Sequence, residues 1–372
     1  MNIKVITRHG PSNYGSLLQS IATVAVLKQL GHSVRIIDYQ REDERGVSMI
    51  MTQVSQKSKF SSPLKRVAYI LTRYPIEKYA QIKFDAMRKR LLPLTKRYST
   101  HDGLCNIEAD LFVTGSDQVW GPMMNGRLDT AYFLDFVEAN KRKIAFSASF
   151  GKQTINSEMG SCFYHLLSGY DGIAVREDTA VQLLEKWGLK NCVGQVLDPT
   201  LLLNCLDWQK ELQLDKKDSS TNEKYILLYL IHNYPEHSRY AVEFAKRKGM
   251  KLVRVNPFFH QILSGGRFIC CPQVERFVSL IKNATYMVTD SFHGTCFAIN
   301  FNIQFLEMLP LNGTSTRNTS ILHLVGLSNR IVTDYNVFTY ADTIINYQDV
   351  NSILNVERDK SFKVLKMLLN SK

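Results

Sequence analysis

Apolar runs short enough to be strands alternate with longer segments of helical periodicity along most of this chain, and this alternation constrains its fold more than any other feature. Residues 3–7 have the composition of a strand, 17–30 have the period of a helix that ends at Gly31, and 33–38 follow as the next strand. Strands that are separated by helices pair in parallel, because each helix carries the chain back across the sheet. The sequence therefore predicts an α/β architecture.

The alternation occurs in two blocks with a polar stretch between them. The first block continues with predicted strands at 111–114, 143–148, 172–175 and 194–197 and a helix at 179–187. Residues 206–224 contain few apolar side chains and have the composition of a linker. The second block contains predicted strands at 225–231, 251–255, 285–289 and 303–306, with helices near 237–247, 273–282, 295–301 and 318–327.

Two such blocks predict two doubly wound, Rossmann-like domains that face each other across a cleft, an architecture that resembles that of two-domain sugar transferases. We assign residues 1–205 to an N-terminal domain, 206–224 to a linker and 225–345 to a C-terminal domain. Residues 346–372 are dense in apolar side chains and predict a terminal helix that packs on the body. A chain of 372 residues is longer than one core usually supports, which agrees with two domains.

Composition and missing motifs narrow the class of protein. The seven cysteines are scattered and form no C-x-x-C pair, so neither a disulfide framework nor a metal site is expected. The chain begins with a strand-like run instead of a secretory leader, and no apolar stretch is long enough to span a bilayer. No dinucleotide fingerprint or P-loop occurs, so no nicotinamide cofactor is expected. We expect a cytoplasmic protein, in solution or resting on a membrane.

Most of the formal net charge of +12 comes from one segment, residues 56–97, which contains twelve basic and two acidic residues. Apolar residues recur in it at the spacing of an amphipathic helix: Ile76, Ala80, Phe84, Met87 and Leu91. Such a helix suits anionic lipid headgroups or a pyrophosphate-linked substrate, whereas the more frequent interpretation is a solvated helix docked on its own domain. Nucleic acid is the weakest interpretation, because the segment contains no recognisable DNA- or RNA-binding module.

One histidine, His293, stands between a predicted strand and a predicted helix, in the run 288–298 with the sequence VTDSFHGTCFA. The amino end of a helix offers backbone N–H groups and the positive end of the helix dipole to an anion such as phosphate or carboxylate. A histidine beside a bound anion is placed to transfer a proton. The alternative is a histidine that caps the helix or packs in the core.

Polar loops follow the predicted strands of both domains. In an open parallel sheet, ligands bind beyond the carboxyl ends of the strands, so these loops are the expected walls of an active cleft. In the first domain they are residues 13–16, 115–118 and 176–177, and in the second they are 232–233, 290–293 and 312–317.

Five short motifs in these loops occur in a fixed order: Asn13-Tyr-Gly15, Gly115-Ser-Asp-Gln-Val-Trp120, Ala174-Val-Arg-Glu177, Asp198-Pro199 and Thr289-Asp-Ser-Phe-His-Gly294. Each motif alone is weakly specific, but together they resemble the polysaccharide pyruvyl transferase family over about residues 3–327. The resemblance implies an enzyme of the glycosyltransferase B type. It also implies transfer of the pyruvyl group of phosphoenolpyruvate onto sugar hydroxyls, often as a cyclic ketal.

The resemblance implies roles for individual residues of the donor site. Ketal formation needs an acid for the methylene carbon of phosphoenolpyruvate, cations for its carboxylate and phosphate, and a base for the sugar hydroxyl. His293 is implied as the acid or base, and Arg176 and Arg317 as bidentate clamps for the anionic groups. Ser291 and Gly294 are implied as further donor-binding residues.

Each of the two arginines also fits a purely structural role. Arg176 is followed by Glu177 and Asp178, and an ion pair with either is the alternative. Arg317 fits equally well as a helix-capping or surface arginine. The family pattern also differs here in detail. Some relatives carry an arginine two residues before the histidine and an acid after the first-loop glycine, where this chain has Ser291 and Ser16.

Amide, hydroxyl and carboxylate groups recognise sugar hydroxyls, and the first domain is the one that the resemblance assigns to the acceptor. Its residues with such groups at strand ends are Asn13, Tyr14, Ser116, Asp117 and Gln118. For Ser116 and Asp117 the alternative is that they cap the amino end of a helix.

The leading hypothesis is a ketal-forming, phosphoenolpyruvate-dependent pyruvyl transferase of capsule or exopolysaccharide biosynthesis. Its acceptor is expected to be a glycan still attached to a polyprenyl pyrophosphate, at the inner face of the cell membrane, with residues 56–97 as the membrane contact. Phosphoenolpyruvate is a co-substrate, and no metal, other cofactor or nucleic acid is expected. Two alternatives stay open because a fold does not fix a function: a glycosyltransferase that uses a nucleotide sugar, and a catalytically silent carbohydrate-binding relative.

Overall fold

The computed structural model describes residues 1–44, 50–51, 54, 62–151, 155, 157–214, 223–311 and 313–371. The chain divides into two compact units: unit 1 comprises Met1–Pro199 and Lys363–Lys372, and unit 2 comprises Thr200–Phe362. Three parts of the sequence-based predictions lie outside the described residues, namely the start of the basic segment, part of the linker and one residue of the last polar loop: 56–61, 215–222 and Asn312.

Unit 1 is built on parallel strands: β1 Asn2–Ile6, β2 Ser33–Tyr39, β3 Leu94–Tyr98, β4 Leu111–Thr114, β5 Lys143–Ala148, β6 Gly172–Val175 and β7 Cys192–Gln195. They form a seven-stranded sheet in the order β3-β2-β1-β4-β5-β6-β7. Helices connect them: α1 Tyr14–Gln29, α2 Pro63–Leu91, α3 Ser157–Leu167 and α4 Asp178–Lys186. Because the strand order changes direction between β1 and β4, the carboxyl ends of these two strands flank the switch point of unit 1.

Unit 2 has a smaller parallel sheet made of β8 Tyr225–Tyr229, β9 Lys251–Asn256, β10 Arg267–Cys270, β11 Tyr286–Thr289 and β12 Gln304–Glu307, in the order β10-β9-β8-β11-β12. Its helices are α5 Pro199–Leu202, α6 Cys205–Glu211, α7 Pro235–Arg247, α8 Val274–Lys282, α9 Phe292–Asn300 and α10 Thr316–Leu324. The last helix, α11 Tyr347–Asn370, begins in unit 2, and its residues from Lys363 onward belong to unit 1. Here the order changes direction between β8 and β11, so their carboxyl ends flank the switch point of unit 2.

Some elements of the structure were not predicted, because polar residues in or around them interrupt the apolar pattern. β3 and β10 were not predicted, because both are edge strands whose residues are mostly half-buried or exposed. α6 lies in the segment with linker composition. It begins with a capping box in which Asn204 and Asp207 satisfy each other's backbone N–H groups, and Trp208 packs its ring against Phe297 with centroids 4.9 Å apart.

Helix α2 carries the predicted apolar stripe of the basic segment. Ala80, Phe84 and Met87 are buried, whereas Leu64 and Leu71 near the amino end are 81% and 69% exposed. The second half of α2 therefore docks on unit 1, as the more frequent interpretation required, while the first half leaves apolar side chains in solvent. Among the residues that the structure describes, no helix is both long and apolar enough to cross a membrane.

Candidate active site

Asp290 joins the ends of two neighbouring strands at the switch point of unit 2. It directly follows β11, and its Oδ1 accepts a hydrogen bond from the backbone N–H of Ile231 at 2.6 Å. Its Oδ2 accepts from the backbone N–H of His232 at 2.9 Å and is 2.9 Å from Nδ1 of the His232 ring. Hydrogen bonds to an ionised carboxylate are short and strong, so the loop after β8 is fixed against the end of β11.

The imidazole of His232 is held on two sides. Besides its bond to Asp290, the ring stacks on Tyr234 with centroids 5.6 Å apart and 22° between the planes. The Asp290 side chain is fully buried, whereas 24% of the His232 side chain is exposed. Because carboxylate oxygens accept hydrogen bonds, this contact favours the tautomer of His232 in which Nδ1 carries the proton. The pair is thus a buried carboxylate and an accessible imidazole that it orients.

Sequence reasoning placed His232 in a polar loop and Asp290 in a polar loop and a family motif, and did not connect them. The two residues are 58 positions apart, and no local pattern links them. The one available signal is topological. If the second block is doubly wound, its first predicted strand, 225–231, and its third, 285–289, are neighbours, and the residues that follow them meet.

The N-cap residue of α9 directly follows Asp290. Ser291 is its N-cap and accepts a hydrogen bond from the N–H of Gly294 at 3.2 Å. His293 is the second residue of the helix and is 6% exposed. The predicted helix start at residue 295 was wrong by about one turn, because a glycine in the first turn interrupts the apolar period. His293 therefore lies in the first turn, where the helix dipole favours an anion.

Gly294 is required by close packing. A Cβ atom at this position would lie 2.5 Å from Oγ1 of Thr289 and 3.0 Å from Cε of Met287. The Thr289 hydroxyl donates to the carbonyl of Tyr229 at 2.7 Å and accepts from the N–H of Ser291 at 3.0 Å. The glycine lets the first turn of α9 approach β11, which fixes the backbone that leads to His293.

Arg317 lies beside the same helix end. It is the second residue of α10, is partly buried, and its Cζ is 5.7 Å from the centre of the Phe292 ring. This distance corresponds to a cation–π contact. The N-cap position of α10 is Ser315, so Arg317 does not begin the helix. Unit 2 thus brings His293 and Arg317 together around the amino end of α9.

A buried carboxyl group, Glu307, connects the two helices of this site. Its Oε1 accepts from the side-chain amide of Asn318 on α10 at 2.6 Å, and its other oxygen is hydrogen-bonded to the hydroxyl of Thr295 on α9. Burial raises the pKa of Glu307 well above its usual range, against the effect of these two hydrogen bonds, and the charge of Asp290 raises it further. Sequence reasoning missed Glu307. The only signal was an acid at the end of an apolar strand.

In unit 1 a buried ion pair holds the strand ends together. Arg176 Nη1 is 2.9 Å from Oδ2 of Asp198, and its Nε is 3.7 Å from Glu177. Ser116 Oγ donates to the same Asp198 oxygen at 2.7 Å. Burial acts to lower the pKa of Arg176, but Asp198 and then Glu177 raise it more, so the guanidinium stays charged. The ion-pair alternative is therefore present, with Asp198 as the nearer partner, and the clamp role of Arg176 stays a prediction.

Three of the predicted acceptor residues lie around the switch point of unit 1. Asn13 caps α1, and its Oδ1 accepts from the N–H of Gly15 at 2.7 Å. In the same first turn, Ser16 Oγ donates to Oδ2 of Asp117 at 3.0 Å and so connects α1 to the loop after β4. Gln118 follows in that loop and is partly exposed. Their contact with an acceptor stays a prediction.

The other two predicted acceptor residues lie in the interior. Tyr14 is fully buried and its ring packs on Phe84 with centroids 5.0 Å apart, so its side chain belongs to the core. Ser116 is also fully buried. Neither Ser116 nor Asp117 caps a helix, because both lie in the loop after β4.

Comparison with known proteins adds family and fold. The family model described as polysaccharide pyruvyl transferase matches residues 13–309. No curated protein sequence matches the chain. A Listeria monocytogenes structure assigned as a UDP-N-acetylglucosamine 2-epimerase is similar with a TM-score of 0.54 and 10% identity, and the match covers 100% of this chain and 97% of that chain.

Two further solved structures give the same picture. MnaA of S. aureus, solved with UDP, has a TM-score of 0.52 and 14% identity over 100% of this chain and 97% of its own. The UDP-GlcNAc 2-epimerase of Neisseria meningitidis, solved with UDP-GlcNAc, has a TM-score of 0.52 and 12% identity over 99% of this chain and 100% of its own. At such identities the likeness shows the fold alone, which is of the glycosyltransferase B type.

Proposed function

This chain belongs to the polysaccharide pyruvyl transferase family, and we propose that it transfers the pyruvyl group of phosphoenolpyruvate onto two hydroxyls of a sugar as a cyclic ketal. The observation that carries the proposal is the amino end of α9, where His293 in the first turn and Arg317 on α10 lie together. No resident cofactor is part of the proposal, and phosphoenolpyruvate is the co-substrate.

The chemistry of phosphoenolpyruvate matches this helix end. Its carboxylate and phosphate lie within a few bonds of the methylene carbon that must be protonated. A helix amino end favours an anion, and a guanidinium binds carboxylate or phosphate through two parallel hydrogen bonds. We assign Arg317 to one of the anionic groups and His293 to the proton that reaches the methylene carbon. Ser291 and Gly294 contribute by shaping the backbone of this turn.

Arg176 is part of the proposed donor site only if phosphoenolpyruvate can compete with Asp198 for its guanidinium. Its guanidinium already faces Asp198 at 2.9 Å and is nearly excluded from solvent. Contact with phosphoenolpyruvate would require the ligand to compete with that carboxylate. The geometry supports Arg176 more strongly as the residue that organises Ser116 and Asp198.

The acceptor in this proposal is a precursor of a capsule or exopolysaccharide, bound by unit 1 through groups such as Asn13, Asp117 and Gln118. We propose that the sugar is carried on a polyprenyl pyrophosphate at the inner face of the cell membrane. Helix α2 supports this location, because it exposes Leu64 and Leu71 in a segment rich in lysine and arginine. Apolar side chains beside basic ones suit an anionic membrane surface.

Calorimetric titration of the full chain with phosphoenolpyruvate tests the proposal. Saturable binding that weakens at least tenfold in Arg317→Ala is the expected result, because the variant loses a charge-assisted contact. His293→Ala is expected to bind phosphoenolpyruvate but to release no phosphate when methyl glycosides of common hexoses are supplied. Arg239→Ala, an exposed arginine on α7, is the matched control for loss of a surface charge.

UDP-GlcNAc is titrated in parallel, since a structure of similar fold is solved with it. Tight binding of UDP-GlcNAc without binding of phosphoenolpyruvate would overturn the proposal in favour of a nucleotide-sugar enzyme. Binding of methyl glycosides alone, with neither donor, would favour a catalytically silent carbohydrate-binding protein.

A further inference from the structure

The His232–Asp290 pair lies at the switch point of unit 2 and has no part in the donor chemistry assigned above. Asp290 is fully buried, accepts two backbone hydrogen bonds and also holds the imidazole. If its purpose were only to join β8 to β11, the backbone N–H groups of Ile231 and His232 would suffice. The third bond fixes a partly exposed histidine in a single orientation.

We propose that His232 is a second catalytic residue, the general base that takes the proton from the attacking sugar hydroxyl, and that Asp290 positions it. This inference rests on the proposed function, because it names the base for that same transfer.

Four features favour a base. Nδ1 donates to a carboxylate, which leaves Nε2 as the nitrogen with a lone pair. The carboxylate also stabilises the imidazolium that forms when Nε2 accepts a proton. The stack on Tyr234 restricts rotation of the ring, so Nε2 keeps its direction. A base needs accessibility as well as orientation, and the His232 side chain is 24% exposed.

The location agrees with this role. In open parallel sheets, ligands bind at the switch point beyond the carboxyl ends of the strands. His232 follows β8 and His293 lies in the helix after β11, and these two strands are neighbours in the sheet. The site therefore has one histidine for the methylene carbon and another for the hydroxyl, as addition across a double bond requires.

The transfer balances with these two histidines. In the first step the C2–C3 double bond takes a proton from His293 at C3, the first sugar hydroxyl oxygen bonds to C2, and its proton passes to Nε2 of His232. In the second step the C2–O bond to phosphate breaks, and its electron pair leaves with the phosphate, which takes the proton from His232. The second hydroxyl oxygen bonds to C2 and returns its proton to His293. The products are a cyclic ketal and inorganic phosphate, with both histidines restored.

Phosphate release from phosphoenolpyruvate, with a panel of methyl hexosides as acceptors, tests the assignment. His232→Ala is expected to lower kcat by about 10²–10⁴-fold, while the Kd of phosphoenolpyruvate changes less than threefold. Added imidazole is expected to restore part of the lost kcat, because it supplies the missing base. Asp290→Asn is expected to lower kcat by at least tenfold, since the amide does not select the same tautomer.

His323→Ala, an exposed histidine of α10, is the matched control and is expected to keep wild-type kcat. Thermal midpoints are measured for every variant. A His232→Ala variant that keeps its midpoint and turns over as fast as wild type would overturn the inference and leave the proposed function standing. A variant that loses kcat without rescue by imidazole would assign His232 a structural role and overturn the inference too. Wild-type protein that neither binds phosphoenolpyruvate nor releases phosphate would overturn both.

Discussion

Glu307 and Asn318 are joined by a hydrogen bond of 2.6 Å that ties the end of β12 to the helix that carries Arg317. The other Glu307 oxygen is hydrogen-bonded to Thr295, whose hydroxyl also lies 3.1 Å from the carbonyl of Ser291. A threonine hydroxyl has one proton and cannot donate to both. A protonated Glu307 resolves this, because it donates to Thr295 while Thr295 donates to Ser291. The direction of the pKa shift agrees.

Replacing Glu307 with glutamine tests the neutral state. The glutamine amide keeps both hydrogen bonds without a proton that can be lost. The raised folded-state pKa means that the wild-type protein is fully stabilised below the unfolded pKa of about 4.3 and loses stability as pH rises toward the folded pKa. We expect the free energy of unfolding of Glu307→Gln to rise, relative to that of wild type, by about 1.4 kcal/mol for each pH unit between the unfolded and the folded pKa. Thermal midpoints measured from pH 4 to 8 give the comparison.

Glu307→Leu is the companion variant, because it removes both hydrogen bonds. It leaves the hydroxyl of Thr295 and the side-chain amide of Asn318 without the carboxyl group that they contact. It is expected to destabilise the protein at every pH. A glutamine variant with a lower midpoint than wild type at neutral pH would show that the native carboxyl is ionised.

Variants of the Arg176–Asp198 pair distinguish a structural role of Arg176 from a role in binding phosphoenolpyruvate. Arg176→Met leaves Asp198 buried without its cation and is expected to cost about 3–5 kcal/mol, measured by urea unfolding. Adding Asp198→Asn removes the nearer of the two buried charges, Glu177 being the other, and keeps an acceptor for Ser116, so much of the lost stability is expected to return. An Arg176→Met variant as stable as wild type would contradict the importance of the pair.

The double variant also decides what Arg176 does for the ligand. If Arg176 only organises unit 1, the restabilised double variant binds phosphoenolpyruvate like wild type in calorimetry. If it clamps the donor, affinity stays low although stability has returned.

Arg317→Lys tests whether the planar guanidinium matters. Lysine keeps the positive charge but cannot form two parallel hydrogen bonds with a carboxylate or phosphate. We expect the Kd of phosphoenolpyruvate to rise about tenfold, equivalent to about 1.4 kcal/mol, with a thermal midpoint close to that of wild type because the side chain is only partly buried. Arg239→Lys on α7 is the control. Equal affinity in both lysine variants would remove Arg317 from the donor site.

Alternating apolar runs were sufficient to predict both sheets, because central strands of parallel sheets are buried on both faces and are apolar throughout. They failed for the edge strands Leu94–Tyr98 and Arg267–Cys270, whose exposed positions carry polar residues. A motif contains His293, and the polar turn 312–317 contains Arg317; both lie at the amino end of α9. Tyr14 belongs to the same set of motifs, yet it lies in the core, because α1 is buried along nearly its whole length.

The His232–Asp290 contact could not be predicted from a single sequence. His232 stands in an ordinary polar loop and Asp290 in the motif Thr289-Asp-Ser-Phe-His-Gly294, but nothing in the sequence pairs them, and the chemistry arises only when β8 and β11 become neighbours. Arg176 and Asp198 each stand in a motif, but their contact also depends on topology, because they meet through the adjacent ends of β6 and β7. Long-range polar pairs depend on topology, whereas helices and buried strands depend on local periodicity.

Membrane contact through α2 is tested by sedimentation with vesicles. Lys89 and Arg90 are exposed at the carboxyl end of the helix, and each basic residue near an anionic surface contributes about 1 kcal/mol. Lys89→Glu/Arg90→Glu is expected to weaken binding to vesicles that contain phosphatidylserine by at least about 30-fold, and high salt is expected to weaken wild-type binding. Lys246→Glu/Lys251→Glu, in unit 2, makes the same change in net charge and is expected to bind normally. Wild-type binding that is indifferent to salt and to both pairs of substitutions would leave α2 as a helix that serves unit 1 alone.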